Sequence, residues 1–318
     1  MGGFRMGRKR EVIFLLLLFL LPLLSSCSLD DDRDLCCNRA RMIYRLTYDN
    51  IDYFSERIDS LRCYLFSIDS TGRSHYMGRM YVDEEKPNQV DLGMLDEGEY
   101  GMIAIGDLDD YGTLDSISLG AEFLHFRADD FFRETKALNN GDPIYWGAER
   151  FVIEKNGDND FVTELSNIHC HLRVKVEWQG LPPYEDNYYL QLSGVWDGYY
   201  MYPEDAEEKG GKLYPEYSGG VRSVVLPVPL RQLGLETSFT TLRYSNQYIP
   251  SLRLWNRDKA LTKTIPLAPV FRQWGWIPDN AAIQEYAIYV LIYRDGTVEI
   301  RPYMNAGIND WIDGGDFG

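Results

Sequence analysis

Between residues 168 and 178 the side chains alternate without a break: Ile168, Cys170, Leu172, Val174, Val176 and Trp178 hold the even positions, and His169, His171, Arg173, Lys175 and Glu177 the odd ones. In a strand, successive side chains point to opposite faces, so this segment turns one face to a core and the other to water. A helix would scatter the same six apolar residues around its circumference. The segment therefore predicts a half-buried β-strand with His169 and His171 on the solvent side, and it needs a second layer to cover its apolar side.

The same reading extends to the rest of the chain. Residues 42–48 alternate, with Met42, Tyr44, Leu46 and Tyr48 on one side. Asp49-Asn50 is placed to cap a short helical turn carrying Phe54 and Ile58, and residues 61–68 are apolar on both faces. Further strands are expected at 75–82, 99–108, 144–154 and 161–165, with a helical stretch at 127–138 and a hairpin turn at Asn156-Gly157-Asp158-Asn159. Leu181-Pro182-Pro183 breaks the chain after the clear strand, and a new series begins at Tyr188. An acidic stretch at 203–217 reads as a long mobile loop. Strands follow at 221–228, 238–244, 252–256 and 261–267, and a last hairpin joins 286–293 to 297–303 through Arg294-Asp295-Gly296. With 23 Tyr, 14 Phe and 7 Trp among many Gly and Pro, the pattern predicts an all-β protein of two tandem antiparallel β-sandwich domains, over residues 41–166 and 167–318.

The first 26 residues belong to neither. Arg8-Lys9-Arg10 precedes a thirteen-residue apolar run at 12–24, then Leu24-Ser25-Ser26-Cys27 and Asp30-Asp31-Asp32. A helix spanning a bilayer needs about 20 apolar residues; the run fits instead the apolar part of a secretory signal. A Leu three residues before a Cys, with small residues between, resembles a bacterial lipobox. Residues 1–26 then form a lipoprotein signal peptide, Cys27 becomes the acylated first residue of the mature chain, and 27–40 form an acidic tether. Two or three acyl chains hold a protein on a membrane durably, where one holds only marginally. Removing the signal leaves 28 basic against 48 acidic residues, a balance of −20, which repels nucleic acid phosphates.

Four further cysteines, Cys36, Cys37, Cys63 and Cys170, lie in a chain exported to an oxidising compartment. They permit three disulfide connectivities. A bond from Cys36 or Cys37 to Cys63 would staple the tether to the first strands; the alternative is free buried thiols. No Cys-x-x-Cys pair or nearby His supplies a zinc site. His169 and His171 share a strand face with Arg173 and Lys175, whose charge opposes a cation, so they read as exposed histidines. Asn156 to Asp160 lacks the frame of a calcium loop. Acid pairs such as Asp109-Asp110 and Asp129-Asp130 arise by chance among so many acids, and no nucleophile elbow, phosphate loop or His-Glu-x-x-His is present. No catalytic residue, cofactor, metal or small-molecule substrate is expected. Trp196, Trp274 and Trp276 could stack on sugar rings, but packing in a core or interface explains them better.

Several of these features together resemble the minor fimbrial subunits of Bacteroidota, the anchor and accessory lipoproteins of type V pili. The likeness begins at Cys27 with the lipobox and the acidic spacer, which resembles the tag that sends such lipoproteins to the outer face of the outer membrane. It continues through residues 54–72 (FSERIDSLRCYLFSIDSTG), through 95–106 with its Gly-Glu-Tyr and Ile-Ala-Ile-Gly, and through the basic alternating strand ending at Gln179-Gly180-Leu181. Beyond residue 181 it is looser. The resemblance implies two transthyretin-like sandwiches, other fimbrial subunits as partners, and joining by β-strand addition. It also implies an arginine-directed protease that removes the first strand from polymerising pilins; here Arg39, Arg41 and Arg45 flank that strand. An anchor is expected to keep the strand and to engage its neighbour elsewhere; residues 286–293 are apolar on both faces, more than one sandwich core requires, which makes the 286–303 hairpin the expected contributor, the alternative being a strand that is simply central and buried. A glycan-binding surface lipoprotein of an uptake system is the reading from a different class. Cys27→Ala is expected to move the protein from the membrane to the soluble fraction on cell fractionation; unchanged membrane retention would contradict lipidation.

Overall fold

The computed structural model describes residues 39–108, 112–114, 124–126, 140–154, 159–200, 206–209, 212–232, 234–257 and 259–303. Among the described residues, fourteen strands of five or more residues carry the fold. In chain order they are β1 (Arg39–Arg45), β2 (Leu61–Ile68), β3 (Ser74–Met80), β4 (Gln89–Met94), β5 (Gly98–Gly106), β6 (Tyr145–Ile153) and β7 (Asp160–Glu164), then β8 (His169–Trp178), β9 (Tyr188–Tyr199), β10 (Tyr217–Val228), β11 (Gly234–Leu242), β12 (Ser251–Asn256), β13 (Gln284–Ile292) and β14 (Val298–Pro302). Two short helices, α1 (Phe54–Arg57) and α2 (Ala268–Gln273), complete the outline. The protein is all-β, built of several largely antiparallel sheets.

A three-stranded sheet in the order β7-β1-β4 faces a five-stranded one in which Ser166–Asn167 is followed by β6, β5, β2 and β3. Their facing residues form one core: Met42 and Tyr44 from β1, Val90 and Leu92 from β4, Cys63 and Leu65 from β2, Met102 from β5, Phe151 from β6. A second pair follows. A four-stranded sheet, β11-β8-β13-β14, faces a sheet of β10, β9 and β12 extended by Lys259–Ala260. Most neighbours are antiparallel, but β1 runs parallel to β7 and β8 runs parallel to β13. The even positions of β8 from Cys170 to Val176 are buried, as its alternation requires, and Trp178 is half-buried.

The apolar character of residues 61–68 on both faces has a structural reason. β2, β5 and β6 bury one face against β1 and β4, while Tyr64, Phe66, Ile103, Ile105 and Trp146 on the other join the cluster that includes β8 and β9. The two cores therefore abut through one sheet. Gly147 in β6 permits a close approach here, because a Cβ at that position would lie 2.7 Å from Leu165 Cδ2 and 3.0 Å from the Glu164 carbonyl.

Four expectations are corrected. The stretch at 203–217 contains a two-stranded hairpin, Ala206–Lys209 with Lys212–Pro215, in place of an irregular loop. Residues 156–158 lie outside the described residues, but the strands on either side are not a hairpin: β6 pairs in the five-stranded sheet and β7 beside β1. The segment 261–267 is no strand beyond Ile265–Pro266, because Leu267 and Pro269 start α2, which drives Phe271 into the second core. Asp49 and Asn50 take left-handed conformations in the turn between Thr47–Tyr48 and Ile51–Asp52, and Asp52 Oδ1 accepts from the Phe54 N–H at the start of α1. The expected helix at 127–138 lies outside the described residues.

Candidate assembly site

The residues most relevant to assembly surround β1. Its inward side chains Ala40, Met42 and Tyr44, with Leu46 beyond, are at most 1% exposed. Burial of the three large ones contributes roughly 1.5–3 kcal/mol each. β1 is the middle strand of its sheet, paired from Arg41 to Arg45 with β7 and from Arg39 to Ile43 with β4. Arg39 pairs with Asp91 and Arg41 with Asp160 on the outer face. Such exposed pairs add at most about 1 kcal/mol. They line a polar depression of about 380 Å³ together with Asp83, Lys86 and Gln89. The third candidate cleavage residue, Arg45, is exposed at the strand end, and its carbonyl accepts from the Leu165 N–H at 2.7 Å.

The free edges lie elsewhere. β13 is internal, between β8 and β14, so its apolar residues face one core on alternate positions and the sheet's outer face on the others. Residues 286–293, apolar on both faces in the sequence, are thus a central strand. Lys175 and Arg173 cover that outer face, stacking on Tyr289 and Tyr303 at 5.2–5.9 Å. Among the described residues, the hairpin's open edge is β14. An edge strand carries unpaired backbone groups that another chain can pair with.

Polar side chains join the apolar ones where the two halves meet. Arg243, 7% exposed, donates to the carbonyls of Asn167 at 3.0 Å, Ala282 at 3.1 Å and Pro278 at 3.4 Å, and to that of Ala281. Its guanidinium stacks on Tyr214 at 4.7 Å. Gln284, fully buried, donates to Tyr244 O and Pro278 O and accepts from Tyr244 N–H. A buried cation is tolerable only when its hydrogens are satisfied in this way. Sequence reading missed both residues, because a lone Arg or Gln in a strand looks solvent-facing.

His169 is the corrected member of the histidine pair. It is 5% exposed, its Nδ1–H donates to the Ile144 carbonyl at 3.0 Å, and its ring meets Tyr145 edge-on. The outer face of β8 is open to solvent for most of its length, but its first residue abuts the first core. His171 is half-buried beside Thr240. Among the described residues no cluster of His, Cys, Asp or Glu could hold a metal ion. Cys63 and Cys170 are buried and not bonded to each other; a bond from Cys36 or Cys37 to Cys63 would involve residues outside those described. Cys63 points between the sheets beside Tyr44, where burial pushes its thiol up to about 12, and Cys170 lies in the other core. Cys27, Cys36, Cys37, Asp109-Asp110 and Asp129-Asp130 lie outside the described residues. Trp196, Trp274 and Trp276 pack against the second core, Trp276 5.1 Å from Phe271 and Trp196 stacked on Tyr217.

The family model for Fimbrillin-A associated anchor proteins Mfa1 and Mfa2 matches residues 34–312. The chain belongs to this family. Membership implies a place at the cell surface in association with fimbriae. The fimbrial anchor protein Mfa2 from Porphyromonas gingivalis is similar in fold, with a TM-score of 0.55 at 13% identity over 83% of this chain and 97% of that one. A candidate polysaccharide-binding protein from Bacteroides thetaiotaomicron gives 0.59 at 10% identity, covering 84% and 98%. A candidate adhesin from Bacteroides ovatus gives 0.58 at 10%, covering 84% and 94%. Comparison with curated proteins finds no match.

Burial also makes His169 a probe of the junction. Desolvation lowers its pKa to about 4, against about 6.5 in an unfolded chain. Between those values the unfolded state binds more protons, so stability rises with pH through this window and is lost as pH falls from 6.5 towards 4. His169→Gln should remove that dependence. The wild-type advantage in urea unfolding should shrink by on the order of 2–3 kcal/mol between pH 7 and pH 4; a pH-independent difference would contradict the buried neutral ring.

Proposed function

We propose that this protein is a structural lipoprotein of the outer membrane, anchored through acylated Cys27, which holds a fimbrium at the cell surface as its anchor or a minor subunit. It acts without catalysis, cofactor or small-molecule substrate, and its partners are the membrane and other fimbrial subunits. The observation that carries the reading is the internal position of β1 in a chain of the anchor family. In this position the strand physically links the folded body to Cys27, and cutting after Arg39, Arg41 or Arg45 would sever the link. A chain that must hold an assembly on a membrane needs that strand retained.

The neighbouring fimbrillin then joins by strand addition at an open edge. The edge of β14 supports this best, because it lies at the end of the second sheet and away from the lipid-bearing end of the sequence. Pull-down of intact surface complexes through a tag on this protein, after mild detergent extraction, tests the assignment. Fimbrillins should co-purify. Affinity for a surface polysaccharide with no fimbrial partner would overturn the assignment in favour of a glycan-binding lipoprotein.

A further inference from the structure

The Lys212–Pro215 strand of the small hairpin lies against the first half of the molecule. Lys212 Nζ donates to the Thr47 carbonyl at 2.7 Å, across 165 residues of sequence, and lies 4.1 Å from the centre of the Tyr48 ring. Glu164 grips the same residue from the other side, accepting from Thr47 N–H at 3.2 Å and from its hydroxyl at 3.1 Å. Lys212 is half-buried, and desolvation lowers its pKa against the attraction of Glu164. A lysine on a free hairpin would keep its ammonium in water; here it meets a carbonyl and an aromatic face instead.

We propose that this hairpin is a latch on the first strand: Lys212, from the second half of the chain, fixes Thr47 and Tyr48 and so prevents the end of β1 from opening. The proposal rests on reading β1 as retained in the mature protein. Its consequence is local. The bond after Arg45 precedes Leu46, which is fully buried, with its N–H bonded to Asp52 Oδ1 at 3.1 Å and its carbonyl to Tyr53 N–H at 2.8 Å. A protease must draw several residues on both sides of a bond out of the sheet before it can cut, and its rate follows the population of that opened state. Thr47 lies two residues beyond Arg45, within the stretch that must open. Arg39 lies at the far end of β1. Lys212 is thus a positioning residue for β1 and guards Arg45 above the other arginines.

The test is limited proteolysis of the detergent-solubilised full-length protein by an arginine-specific protease, read by intact mass. Wild type is compared with Lys212→Met, which keeps the apolar stem, and Tyr48→Leu, which removes the ring. Exposed Arg231 and Arg257 serve as internal references. Both variants should be cut after Arg45 roughly three to thirty times faster, with reference sites unchanged, as expected for loss of one partly buried cation–π and charge-assisted contact. Equal rates after Arg45 in wild type and both variants would overturn the latch. Uniform acceleration at every arginine would overturn it too, as general destabilisation. Wild type cut after Arg45 as fast as at the reference sites would overturn instead the reading that β1 is retained.

Discussion

Everything in the first half of the molecule depends on one strand being paired on both sides. β1 supplies inward side chains to the sheet–sheet core and hydrogen-bonds to β4 on one edge and β7 on the other. Removing it would leave two facing rows of backbone donors and acceptors without partners and a trench where Met42, Tyr44 and Leu46 now sit. Each unsatisfied buried group costs about 1–3 kcal/mol, so the losses accumulate well beyond the few kcal/mol by which a domain is ordinarily stable. Such a body persists only if another chain fills the trench. The strand that carries the chain to Cys27 is therefore also the strand the fold can least do without.

Much of this architecture was legible in the chain because solvent faces one side of most sheets. β8 alternates in sequence, and its even residues from Cys170 to Val176 are buried as read. β2 matches its expected span of 61–68, and its two apolar faces mark a sheet covered on both sides. Reading failed where tertiary contact overrode local pattern. His169 continues the polar face of β8 in sequence yet is covered by Ile144 and Tyr145. The hairpin of Ala206–Lys209 and Lys212–Pro215 shows no alternation, since it gains its place by tertiary contacts, Tyr214 in the second core and Lys212 on Thr47. α2 escaped notice because it is a six-residue helix whose single fully buried anchor is Phe271. At the candidate assembly site the arginines and β1 were visible, whereas Lys212 and Arg243 were not. Their partners are carbonyl oxygens, which leave no mark in side-chain composition.

The junction between the two halves is held by those same invisible partners. Arg243 binds the Asn167 carbonyl between the two cores and the 278–282 segment at once, Asn140 bonds Thr240, and Arg57 reaches Glu285 at 3.5 Å. Together with the apolar cluster that runs through β2, β5 and β6 into β8 and β9, these contacts give the halves little freedom to move separately. Interfaces between domains that are large and apolar suppress the relative motion otherwise expected. In the anchor role proposed above, a rigid junction would pass load from the second half to β1 without first bending at a hinge.

The central claim, that the mature chain keeps β1 and remains joined to its lipid, is tested most directly by intact-mass and N-terminal analysis of the protein recovered from native surface fimbriae. The account predicts a single mature form beginning at an acylated Cys27 and running through β1. A lipid-free chain beginning at residue 40, 42 or 46 would contradict it and would mark a polymerised subunit in place of an anchor.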